Sequence, residues 1–123
     1  MSSRLPGSST VSGDGITTVF VSLEQLLRSG ETLTGTATAV EVESTDLTIT
    51  NVAKITTAVT VPEGSPLFGH QVSRRIIPAN QGLLFSVSAP GDIEGSYAIE
   101  VSCATTGVTP AQTLTLYVDL EIA

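Results

Sequence analysis

A chain of 123 residues is long enough for one ordinary domain and too short for two. Its hydrophobic share of 41% excludes a disordered chain. Its net charge of −7, from five basic and twelve acidic residues, argues against nucleic acid and anionic membranes as partners. Trp is absent and aromatics are 4%, so aliphatic side chains must fill the core. Charged residues are only 14%, so Thr and Ser supply most of the polar surface.

Residues 1–15, broken by Pro6, Gly7, Gly13 and Gly15, read as an extended N-terminal arm before a domain over 16–123. A Ser/Gly-rich end of this kind is expected to order only when something holds it, as a neighbouring subunit would on assembly. Arg4 and Leu5 are its candidate contacts with another subunit. The segment lacks the basic head and apolar stretch of a secretory signal, so the chain is expected to keep its N-terminus.

Ile16–Val21 is β-branched and predicts a first strand. Ser22 and Gln25 fit a capping box, and Leu23, Leu26 and Leu27 share one side, which predicts one short helical turn over 22–28, stopped by Gly30. Thr-rich strands follow over 33–43, 47–52 and 54–61, until Pro62-Glu63-Gly64-Ser65-Pro66 breaks the pattern. Residues 67–77 are less regular and end in the Pro78–Gly82 turn.

The C-terminal half alternates most clearly. Leu83, Phe85, Val87 and Ala89 form one face, with Leu84, Ser86 and Ser88 opposite. Tyr97, Ile99, Val101 and Cys103 form another, as do Leu114, Leu116, Val118, Leu120 and Ile122. Period-2 patterning with one buried and one wet face, repeated over about seven or eight short strands, predicts an all-β antiparallel sandwich. No apolar run is long enough to span a bilayer as a helix. A mean hydropathy of +0.31 without such a run suggests surface that becomes buried against other chains.

Residues suited to chemistry are few. His70 is the sole histidine and has no carboxylate near it in sequence, so a loop or interface role outweighs general-base work. Cys103 is the sole cysteine, which excludes an intramolecular disulfide and a cysteine zinc site; on an apolar strand face it reads as an inert buried thiol. Asp92 and Glu94 in a Gly-bounded turn cannot close a calcium shell unaided, and Asp14-Gly15 is likewise a turn. Arg74 and Arg75, in a chain poor in cations, are either a solvated pair or a clamp on the acids of a neighbouring subunit. With no phosphate loop, paired catalytic carboxylates or nucleophile elbow, the expectation is a non-enzymatic protein without cofactor or metal.

Two stretches resemble bacteriophage virion proteins, specifically the small Ig-like family of phage fiber-tail adaptor proteins. The first is Leu26-Leu27-Arg28-Ser29-Gly30-Glu31-Thr32-Leu33 with the Thr/Ala/Val strand over 34–42. The second is Gly91 through Val118, in which Gly95–Thr106 resembles the family's glycine, tyrosine and alternating aliphatic-and-threonine strand and Gln112-Thr113-Leu114-Thr115-Leu116-Tyr117-Val118 its closing strand. Together they cover about half the chain. The segment over 59–81 is longer than the family pattern, and the arm is unusual in composition. The resemblance implies an Ig-like sandwich and a virion structural protein, made in the bacterial host cytoplasm. Its partners would be tail, neck, fiber or capsid subunits and copies of itself in a symmetric homo-oligomer. A fiber-tail or neck adaptor is the first expectation and a capsid decoration (cement) protein the second. A carbohydrate-binding adhesive module comes third, because the chain has no Trp for stacking on sugars.

Overall fold

The computed structural model describes residues 3–4, 10–11, 16–42, 47–63, 65–69, 75–88 and 95–122. It is an all-β sandwich in which six strands of seven residues or more make two packed sheets. These are β3 (Ile16–Ser22), β4 (Thr32–Glu41), β5 (Thr48–Lys54), β9 (Gly82–Ser88), β10 (Gly95–Thr106) and β11 (Thr113–Ile122). Five two-residue strands complete it: β1 (Ser3–Arg4), β2 (Thr10–Val11), β6 (Val59–Thr60), β7 (Leu67–Phe68) and β8 (Ile76–Ile77).

One sheet runs β1-β11-β10-β4, with β2 also on β11; the other runs β5-β9-β3-β7; β6 and β8 form a separate ribbon. With β3, β4, β5, β9, β10 and β11 read as strands B to G, the orders C-F-G and D-E-B are those of an immunoglobulin-type sandwich. The sheets meet through the inward residues that alternation predicts. Val19, Val21, Leu83, Phe85 and Val87 pack against Ile99, Val101, Cys103, Leu116, Val118 and Leu120, all buried.

The structure corrects three expectations. Over 22–28 there is no helix: Ser22 stays in the sheet opposite Gly82, Leu23 N donates to Gln81 O, and one turn bond joins Leu26 N to Leu23 O. A helix this short cannot repay its nucleation cost, so sheet pairing claims the capping residue. The strand expected over 54–61 divides, because Ile55 N and O bond to Gly82 O and Asn80 N and the chain leaves the sheet there.

The outer face of β9 is also less wet than its alternation implies. Phe20, Ile55, Val61, Leu67 and Ile77 form a second small core over the outside of the β5-β9-β3-β7 sheet, with Val59 and Leu84 packed against it. Gly82 sits beneath this cover; a Cβ there would strike Ile77 and the Val21 carbonyl oxygen, so the close approach requires glycine.

The four described residues of the arm pair with their own chain. Ser3 and Arg4 pair in parallel with Leu116 and Tyr117, and Thr10 and Val11 with Glu121 and Ile122. The outer edge of β11 is thereby covered along part of its length.

Candidate functional site

Charge is scarce, so the places where it is spent locate the polar sites. One ion pair, Arg28–Glu31, lies at the end of the sandwich where the 23–31 turn meets the β10–β11 hairpin. Glu31 is 3% exposed and its carboxylate is fully engaged. Arg28 donates to it from the backbone N (2.9 Å), from Nε (3.3 Å) and from Nη2 (2.6 Å). Thr105 Oγ1 donates to Oε2 at 2.6 Å, and Gln112 Nε2 lies 3.2 and 3.1 Å from the two oxygens. Arg28 Nη2 also donates to Pro110 O at 2.6 Å, tying the turn to the hairpin loop.

The backbone makes this lock possible. Thr105 N donates to Gln112 O and Gln112 N to Thr105 Oγ1, which closes the hairpin across residues 106–111. Gly107 adopts φ +95°, and a Cβ on it would collide with the Gly30 carbonyl oxygen, so the loop lies directly on the turn. The Arg28 guanidinium and backbone, then Thr105 and Gln112, hold the Glu31 carboxyl well below the usual carboxylate range against the opposing effect of burial. A general acid or base needs a pKa near its working pH, so this carboxylate is a fixed anion that joins two segments.

Arg75 is likewise committed within its own chain. Its Nε donates to Val61 O at 3.2 Å, and Nη2 donates to Pro62 O at 2.7 Å and Ser65 O at 2.9 Å. These bonds close the turn that follows β6, while Val61 N donates to Arg75 O at 2.7 Å. The side chain proposed as an intersubunit clamp thus already holds three carbonyls of the 59–81 insertion. Arg4 is placed by its backbone on the β11 edge. Leu5, Arg74, His70, Asp14, Asp92 and Glu94 lie outside the described residues.

Cys103 is 2% exposed, with Sγ 3.4 Å from Thr34 O, and burial pushes its thiol pKa up. That is the setting of an unreactive thiol. Among the described residues, no group of three or more His, Cys, Asp or Glu side chains is placed to hold a metal ion. All five aromatic side chains are buried or half-buried, with Phe20, Phe68 and Phe85 in the cores and Tyr97 and Tyr117 partly covered.

No protein-family model, curated protein or solved structure matches the chain.

The site that sequence reasoning missed is the Arg28–Glu31 lock. Its signal was present: opposite charges three residues apart, beside Gly30, in a chain with few cations. Nothing in the sequence named Thr105 and Gln112 as their partners, because that contact is set by tertiary packing across more than seventy residues.

Proposed function

We propose that the chain is a non-enzymatic structural component of a phage virion, acting as a tail, neck or fiber-tail adaptor through protein–protein contacts. The observation that carries this reading is spatial. Leu26–Leu33, from the first stretch resembling the adaptor family, and residues 95–118, from the second, form one unit. Arg28 and Glu31 from the first are bonded to Thr105, Pro110 and Gln112 from the second or the loop within it. Two resemblances half a chain apart thus belong to one module, the β10–β11 hairpin and the turn locked to it.

The chemistry of the surface supports an assembly role. Arg28 and Glu31 are satisfied within the chain, and the wet face of β10 and β11 combines the Ser102 and Thr115 hydroxyls, 3.3 Å apart, with the acids Glu100, Asp119 and Glu121. Capsid decoration is the second reading, favoured by the same low charge. The adhesive reading loses ground because no aromatic side chain among the described residues is exposed for stacking on a sugar.

The test is deletion of the gene from the phage that encodes it, followed by electron microscopy of the particles. Filled heads lacking attached tails or fibers are expected. Particles of normal morphology and infectivity would refute the adaptor role, and intact tails on fragile heads would move the protein to the capsid.

A further inference from the structure

An edge strand is a template for another chain unless a bulge, a break, a cover or its own shortness blunts it. With the arm set aside, the long strands at the ends of the two sheets are β4, β5 and β11. β4 loses its register with β10 between Ser102 and Ala104, where Gly35 takes φ 73°. β5 loses its register with β9 between Thr50 and Ala53, where Asn51 takes φ 54°. β11 differs from both. It pairs with β10 in unbroken register along its whole length, from Thr113 opposite Ala104 to Ile122 opposite Gly95. It contains no proline or glycine, and its two acids, Asp119 and Glu121, lie on the wet face of the sheet.

The arm sits on this one regular edge. Ser3 and Arg4 run beside Leu116 and Tyr117, and Thr10 and Val11 beside Glu121 and Ile122, both parallel to β11. Two contacts of two residues make a small seat. Its strength comes from the tether, because only residues 12–15 separate β2 from β3. A segment held by so short a connection acts at an effective concentration on the order of millimolar. A free segment at micromolar concentration therefore loses to it.

We infer that β11 is a strand-acceptor edge and that the arm is its autoinhibitor. Seated in cis, the arm fills the main-chain positions beside β11 and keeps other segments out. Displaced, it leaves an edge that takes an extended protein segment running parallel to β11, by strand addition. The segment shown to fit is the arm's own sequence, which makes it the probe. This property belongs to the isolated chain, so it stands or falls apart from the virion reading.

The experiment titrates a fluorescently labelled peptide of residues 1–11 into the full chain and into a chain lacking those residues. The truncated chain is expected to bind, with a rise in anisotropy and restored hydrogen-exchange protection at Leu116, Tyr117, Glu121 and Ile122. The full chain should bind at least ~10-fold more weakly, because its own arm competes. A second variant keeps the test open where truncation prevents folding. The full chain with Thr10→Pro and Val11→Pro loses the arm's main-chain donors at Glu121 and Ile122 and leaves residues 16–123 unchanged, so it should bind the peptide. Thr10→Ala with Val11→Ala keeps those donors and should leave the edge closed. A folded arm-deficient chain that takes up no peptide, or a full chain that takes it up equally well, would overturn the inference.

Discussion

A carboxylate as buried as that of Glu31 persists only while donors surround it, and losing any of them leaves a buried charge uncompensated. Glu31→Gln is therefore expected to lower the melting temperature, and Glu31→Ala to lower it further by also leaving Gln112 and Thr105 without their acceptor. The folded-state pKa is depressed, so the stabilisation is fully present above the unfolded Glu value of about 4.3 and is lost as pH falls below it. Melts followed by circular dichroism should show the wild type losing its advantage over Glu31→Gln on acidification. Parallel pH profiles would contradict the assignment. Gly107 offers a test of the same junction without charge. Gly107→Ala meets both a positive φ and the Gly30 carbonyl, and should cost more than about 1 kcal/mol in urea denaturation.

At the scale of elements, the 59–81 insertion is a cover with its own core. Ile77 is fully buried there while its neighbour Ile76 is 48% exposed. Truncating Ile77 to Ala should cost about 2–5 kcal/mol, and truncating Ile76 less than about 0.5 kcal/mol. Equal effects would show that the insertion does not pack on the sheet. The arm is the second element with a distinct prediction. Removing residues 1–11 should leave cooperative unfolding intact but reduce hydrogen-exchange protection of β11 amides near Leu116, Tyr117, Glu121 and Ile122, which lie beside the arm.

In β10 and β11, which alternate cleanly in sequence, only the inward face is buried in the main core, so pattern and burial coincide. Alternation was silent where a third layer intervenes: Phe20 and Leu84 point away from the main core, yet the insertion covers them. The helical turn over 22–28 was misread because local capping chemistry is weaker than the sheet pairing that holds Ser22 and Leu23. The pairing of Ser3–Arg4 and Thr10–Val11 with their own chain was not legible, since parallel pairing to a strand a hundred residues away leaves no local trace. The Glu31 lock shared that fate.

For the whole molecule, Ser3–Arg4 and Thr10–Val11 cover part of one edge of the β11-β10-β4 sheet, and β4 has no hydrogen-bonded strand on its other side among the described residues. The central claim, that this is a low-copy structural component of a phage particle, is tested most directly by quantitative mass spectrometry of purified virions, with the major capsid protein as reference. The account predicts that the protein is present at a small fraction of the capsid protein's abundance, as a ring at the neck or tail requires. Near-equal abundance would contradict the adaptor role in favour of capsid decoration, and absence from the particle would contradict the structural role altogether.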